Sequence, residues 1–236
     1  MIVDSSALPE QVVKDSLQSA FGSAGQRCSA LRVLCLQDDI AERVLPMLAG
    51  AMQELIVGDP AEIATDVGPV IDTEALDRLR QHRERMDREA RRIAAVPSAN
   101  AAGHFFPPVA YEVDSLEHIG GEVFGPVLHV LRYDDERLDE LVDAINRLGY
   151  GLTLGVHSRI ESTWRRVSER ARVGNCYINR NMVGAVVGVQ PFGGEGLSGT
   201  GPKAGGPDYL RRLTTERTLT INTAAVGGNA HLLTLE

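Results

Sequence analysis

The chain has 236 residues, 43% of them hydrophobic and 24% charged, with a formal net charge of −8. That length suits one large domain, or one domain plus an arm, and the composition is ordinary for a soluble globular protein. The acidic balance argues against nucleic acid or an anionic membrane as a partner. No apolar run is long enough to span a bilayer, and the opening MIVDSSALPE lacks the basic and apolar regions of a signal peptide. Three cysteines are too few for a disulfide framework and fit a reducing, cytoplasmic compartment.

Residues 8–21 read as a helix, with Pro9 in its first turn, Glu10 at the positive end of the dipole, and Val13, Leu17, Ala20 and Phe21 on one face. Gly22 and Gly25 then break it, and the loop delivers Cys28. Residues 32–36 (RVLCL) read as a buried strand, 39–55 as a helix and VGDP at 57–60 as a turn. Thr73 to Arg92 forms a long charged helix with Leu76, Leu79, Met86 and Ala90 as its apolar stripe; its charge run is a solvated face. Ile93–Val96 is a short strand, followed by a loop of Pro, Ser, Asn and Gly. Strands at Val109–Val113, Val127–Tyr133, Thr153–His157 and Asn175–Asn179 alternate with helices near 138–148 and 162–171. This alternation predicts an α/β fold with a mostly parallel sheet and helices on both faces. Pro191 to Pro207 is a glycine-rich loop, Thr218–Thr223 (TLTINT) alternates like a strand, and a small-residue tail ends the chain.

Chemistry points first to the cysteines. Cys35 and Cys176 lie in apolar strands and read as small core residues. Cys28 follows FGSAGQR, a glycine-interrupted loop with Arg27 adjacent, where free backbone N–H groups and a cation favour thiolate over thiol. From spacing alone, catalytic and structural roles for it both stay open. No metal-ligand spacing is present, and none of the six histidines pairs with Cys28 by sequence. EVFGP taken alone is a strand-entry turn, and the late glycines taken alone are a surface loop.

The three segments GQRCSA around Cys28, GEVFGPV at 121–127 and PFGGEGLSGTG at 191–201 stand in an order and spacing that resemble the aldehyde dehydrogenase superfamily over nearly the whole chain. The fuller stretches FGSAGQRCSALRV, GNCYINRN and PFGGEGLSGTGPKAGGPDYLRR, with the closing TAAVGGNAHLLTL, are similar to the glutamate γ-semialdehyde (pyrroline-5-carboxylate) dehydrogenase domain of the bacterial bifunctional proline-utilization family.

The resemblance implies an aldehyde dehydrogenase catalytic domain over residues 1–213 and a C-terminal oligomerisation arm and tail over 214–236. It implies oxidation of L-glutamate γ-semialdehyde to glutamate with NAD, in proline catabolism. Cys28 would add to the aldehyde as a thiolate, and donors would stabilise the oxyanion. A glutamate base would then activate water against the thioester. Glu122 matches the residue that accepts hydrogen bonds from the nicotinamide ribose, a task suited to an acceptor-only carboxylate. Phe124 matches the aromatic packed beside the nicotinamide. Gly205 and Gly206 match a backbone anchor for the substrate's α-carboxylate, because glycine turns present consecutive N–H groups. Ser29 would add a donor, Phe192 would line the aldehyde tunnel, and Ser198 is a further substrate-side candidate. Lys203 either pairs with the carboxylate or points to solvent.

The chain departs from the family at Gly196, where many relatives carry a lysine. The family's general base, oxyanion asparagine and pyrophosphate-gripping glycine turn are expected before Met1, so the NAD-binding domain is expected outside this chain. The chain by itself is then expected to fold, to bind NAD weakly if at all, and not to turn over aldehyde. Its expected partners are the rest of its own polypeptide and a second copy, paired through the exposed edge of 218–223. FAD belongs, on the same resemblance, to a proline dehydrogenase domain outside this chain. Readings in other classes are an aldehyde dehydrogenase of different substrate, a non-catalytic dimerisation or docking domain, and a thiol hydrolase.

Overall fold

The computed structural model describes residues 1–97, 103–186, 188–222 and 225. A two-residue strand, β1 (Ile2–Val3), opens the chain; so short a strand carries no periodicity to read. Helix α1 (Pro9–Phe21) follows, and a 3-10 turn at Gly22–Gly25 leads through the Cys28 loop to β2 (Val33–Gln37). Next come α2 (Asp38–Gln53), α3 (Thr73–Glu89), β3 (Arg91–Ala95), β4 (Val109–Glu112) and β5 (Val127–Tyr133). The remainder comprises α4 (Leu138–Arg147), β6 (Tyr150–Gly151), β7 (Thr153–His157), α5 (Glu161–Arg170), β8 (Asn175–Ile178), β9 (Glu195–Gly196) and α6 (Tyr209–Arg212).

Seven strands form one sheet in the order β3-β4-β5-β2-β1-β7-β8. Every neighbouring pair is parallel except β3 with β4, as the alternation of strands and helices predicts. The central strands are near-continuous apolar runs because neither face meets water. Leu34, Leu36, Leu128 and Val130 are fully buried, as are Phe21 from α1, Met52 from α2 and Met86 from α3. Short β1 sits mid-sheet, with Ile2 opposite Cys35 on one side and Val156 on the other. Helices α4 and α5 are tied by ion pairs from Arg166 to Asp139 and from Arg170 to Asp143. Among the described residues, no helix is long and apolar enough to cross a membrane.

Two predicted elements need correction. Helix α3 ends at Glu89, because Ala90 is extended (φ −133°, ψ 158°). Arg91 and Arg92 then enter β3, opposite Glu112 and Tyr111. The Glu112 carboxylate pairs with both Arg91 and Arg132, a tertiary arrangement that overrides the helical charge pattern. The predicted strand at 218–223 is not formed over 218–222, and Thr223 lies outside the described residues. Leu219 and Ile221 stand exposed, since alternation makes a strand only where a partner supplies the ladder. Much of the loop after β3 and nearly all of the tail after 222 also fall outside the described residues.

Candidate active site

Strands β5, β2, β1 and β7 run parallel, so the segments that lead into them emerge along one edge of the sheet. Those segments enclose a cavity of about 410 Å³. Cys28 and Arg32 come from the loop before β2, Glu122 and Phe124 from the turn before β5, and Leu148 and Tyr150 from the approach to β7. The cavity therefore sits at the amino ends of the strands, opposite the carboxyl-end crevice usual in open α/β sheets.

The Cys28 loop is held in an unusual conformation. Ser23, Ala24 and Gly25 all have positive φ, at 56°, 53° and 64°, a costly state for the first two. A Cβ on Gly25 would lie 2.2 Å from the Gly125 carbonyl oxygen and 2.9 Å from that of Ala20. Glycine is what lets this loop seat against the 125 turn. On the other side, Gln26 Oε1 accepts the Ile71 N–H at 2.8 Å, and its Nε2 donates to the Pro69 carbonyl at 3.3 Å. Cys28 then lies in a turn closed by the Ala30 N–H donating to Arg27 O at 3.0 Å, with its side chain exposed.

The cation expected beside Cys28 was Arg27, but that side chain is exposed and donates from Nε to Ser23 Oγ at 2.9 Å. The cavity wall instead holds Arg32, which sequence reading treated as the first residue of an apolar strand. Its Nη1 donates to Gly25 O at 2.6 Å and to Gly125 O at 3.2 Å, and its Nη2 donates to Arg27 O at 3.2 Å. The guanidinium lies 4.7 Å over the Phe124 ring and 3.7 Å from Glu122 Oε1, the latter an ion pair beyond hydrogen-bond length. Burial pushes Arg32 below the usual arginine value, while Glu122 and then Cys28 act in the opposite sense. A charge at the mouth of a buried strand demands partners, and that rule was the available signal for it.

Arg85 also leaves the solvated face expected of α3. Its Nη atoms donate to His118 O at 2.9 Å and Ile119 O at 2.7 Å, which fixes the 3-10 turn at Glu117–Ile119 that leads into the Glu122 segment. Glu122 and Phe124 are both partly open to solvent, with a 42% exposed side chain and 47% exposed residue respectively. The turn thus presents an acceptor-only carboxylate and a partly exposed aromatic ring to solvent.

The glycine-rich loop folds down onto β8. Phe192 and Ala204 exchange backbone hydrogen bonds at 3.0 and 2.9 Å. Asn175 Nδ2 donates to Gly193 O at 3.0 Å, and Lys203 Nζ donates to Gly174 O and to Asn175 Oδ1 at 3.2 Å. Lys203 thus takes neither of its expected roles. Ser198 Oγ accepts the Gly151 N–H at 3.0 Å, and Ser198 lines the cavity with Cys28. Gly205, at φ +72°, is exposed, and the Gly206 N–H donates to Lys203 O at 3.0 Å. Phe192, Gly205, Gly206 and the buried Ser29 do not line this cavity. Gly196 has φ +58°, and a Cβ there would lie 2.5 Å from Gly149 O, so this turn requires glycine.

The other cysteines differ from Cys28. Cys35 is buried and Cys176 half-buried, and burial pushes both thiols up. His129 reaches the cavity, yet both its nitrogens are engaged. Its Nδ1 lies 3.2 Å from the Arg32 carbonyl, which requires a donor there, so its Nε2 accepts from His82 Nε2 at 2.9 Å. Burial lowers both imidazoles, His82 to about 4 and His129 to about 3. Among the described residues, none of the groups of His, Cys, Asp and Glu has the makings of a metal site.

Comparison with known proteins gives the family. The family model described as the aldehyde dehydrogenase family matches residues 1–219. The chain is 58% identical over 224 residues to the bifunctional protein PutA of Klebsiella aerogenes, covering 92% of this chain and 17% of that protein. It is 39% identical over 212 residues to the 1-pyrroline-5-carboxylate dehydrogenase of Geobacillus kaustophilus, covering 89% of this chain and 41% of the relative. A crystal structure of bifunctional proline utilization A (PutA) overlays with a TM-score of 0.91 at 57% identity, over 96% of this chain and 23% of that one. The chain thus spans well under half the length of these relatives. Agreement of sequence and backbone along nearly all of its residues makes the chain a member of the aldehyde dehydrogenase family.

Proposed function

We propose that this chain carries the catalytic-cysteine part of an NAD-dependent dehydrogenase that oxidises L-glutamate γ-semialdehyde to glutamate in proline catabolism. The observation that carries the reading is an exposed Cys28 in the wall of the cavity that also receives Glu122 and Phe124. In this reading the Cys28 sulfur adds to the aldehyde carbon and forms a thiohemiacetal. Arg32, a cation already in the cavity wall, favours negative charge there without having to reorganise. Glu122 accepts the nicotinamide ribose hydroxyls, and Phe124 packs beside the ring. NAD, when bound, supplies the two-electron acceptor that takes the thiohemiacetal to a thioester. Water releases the acid and returns the thiol. The base for that last step, the oxyanion side chain and most of the NAD surface are assigned to parts of the relatives that this chain does not match.

Substrate recognition is assigned to Ser198 at the cavity and to Gly205, Gly206, Phe192 and Ser29 beyond it. The α-carboxylate anchor then requires the 203–206 turn to release the Gly206 N–H from Lys203 O. Residues 1–213 form the catalytic unit in this proposal, and 214–236 the oligomerisation arm. Leu210, Leu213, Leu219 and Ile221, each at least 67% exposed, fit cover by a second copy. Free thiols at all three cysteines agree with a cytoplasmic location.

Differential alkylation followed by mass spectrometry tests the central claim. Cys28 is expected to react at least tenfold faster than Cys35 and Cys176. Equal, slow labelling of all three would leave Cys28 inert and favour a non-catalytic docking domain. The Cys–His hydrolase reading is disfavoured because His129 and His82 are committed to each other and to Arg32 O.

A further inference from the structure

Two loops make the proposed site, and they come from strands far apart in sequence. The Cys28 loop precedes β2 and the Glu122–Gly125 turn precedes β5. They meet at Arg32, whose guanidinium donates to Gly25 O and Arg27 O in the first loop and to Gly125 O in the second. Its Nε is buried without a hydrogen-bond partner and faces Glu122 Oε1 at 3.7 Å. The Phe124 ring covers the flat face of the group at 4.7 Å. Beneath it, the Arg32 carbonyl takes the His129 N–H at 3.0 Å and lies 3.2 Å from His129 Nδ1. The residue is thus held at both ends, with its charge fixed in the cavity wall.

We propose that Arg32 is the positioning residue of this site: it clamps the Cys28 loop to the Glu122–Gly125 turn and presents one shared cation to Cys28 and Glu122. The assignment rests on the reading of Cys28 as the nucleophile. Three carbonyl partners in different directions require the planar fork of an arginine, because a lysine ammonium is a point charge on a flexible stem. Glu122 then does double duty, accepting from a ligand on its open side while balancing Arg32 on the other. A site built this way favours anionic reactants at Cys28 over neutral ones of the same size.

Iodoacetate and iodoacetamide differ in charge and are close in shape, so the ratio of their alkylation rates at Cys28 reads the local cation. Cys35 and Cys176 serve as internal controls, and circular dichroism reports the fold. Arg32→Met is expected to lower that ratio at least threefold and to remove its dependence on salt. Arg32→Lys is expected to keep the ratio within twofold of wild type, yet to raise amide hydrogen exchange in both 25–30 and 121–126. Glu122→Gln is expected to raise the ratio by freeing the cation. An unchanged ratio in folded Arg32→Met overturns the proposal. Should Arg32→Met not fold, an unchanged ratio in Glu122→Gln together with unchanged exchange in Arg32→Lys does the same. Wild-type Cys28 reacting no faster than Cys35 would instead sink the nucleophile reading itself.

Discussion

Two glycines three positions apart have opposite requirements. Gly22, at φ −55°, meets nothing within 4 Å of a built Cβ. Gly25 has φ +64° and a backbone oxygen 2.2 Å away. Alanine at 22 is expected to be neutral or to stabilise by about 0.5 kcal/mol through the unfolded state. Alanine at 25 is expected to destabilise by at least about 2 kcal/mol, adding backbone strain to a collision that cannot relax without moving the Gly125 turn. The same change is expected to spoil selective alkylation of Cys28, because the loop no longer seats. Urea denaturation of both variants checks the first expectation, and an unimpaired Gly25→Ala would refute the seating argument. Both glycines read alike in sequence, as helix breakers; the contact with residue 125, a hundred positions away, separates them.

At the scale of elements, α3 is fastened to the sheet by His82, which meets His129 of β5 edge-on at 2.9 Å between Nε2 atoms. Both pKa values are depressed, chiefly by burial. Arg85 lowers both further, His82 and Arg32 add to the lowering at His129, and Glu89 opposes it at His82. The unfolded chain therefore binds protons below about 6.5 that the folded pair refuses until about 4 and about 3. Stability is full above 6.5 and falls with decreasing pH through that window, at up to about 1.4 kcal/mol per unit for each full proton difference. His129→Gln is expected to reduce the slope of Tm between pH 7 and 5 by its own share, leaving those of His82 and buried His157, whose pKa values burial also lowers. An unaltered slope would mean the pair is not what couples folding to pH. At the start of the same helix, the Asp72 carboxylate accepts the Ala75 N–H at 2.8 Å. Asp72→Ala is expected to cost about 1 kcal/mol in urea titration, and no measurable loss would deny the cap that role.

For the whole molecule, the telling feature is the exposed run from α6 to residue 222. Leu210, Leu213, Leu219 and Ile221 leave a row of exposed apolar side chains there. If a second copy covers them, light scattering after size exclusion gives a dimer, and the double change Leu219→Asp with Ile221→Asp gives a monomer with unaltered circular dichroism. A monomeric wild type would refute that assignment. The chain by itself is also expected to show no steady NADH production with glutamate γ-semialdehyde. Micromolar NAD affinity by calorimetry together with turnover would refute the division of roles proposed for it.

The legible parts of this protein were those written in local pattern. Apolar runs at β2, β5 and β7, the stripe of α3 and the glycine-flanked Cys28 loop are set by periodicity and backbone freedom, which neighbours in the chain decide among themselves. Family resemblance pointed to Glu122 and Phe124, which line one cavity with Cys28, and equally to Phe192, Gly205 and Gly206, which do not. Arg32 was hidden because its three carbonyl partners and its carboxylate are distributed over residues 25 to 125. For the same reason the His82–His129 contact, the turn of Arg91 and Arg92 into β3, and the hydrogen bond of Lys203 to Asn175 had no local signature. The sequence by itself determined the longer strands and helices and the glycine-flanked loop that carries Cys28. The tertiary structure alone decided which charges face the cavity, because a buried charge takes its place from whatever oxygen atoms the folded chain brings within reach.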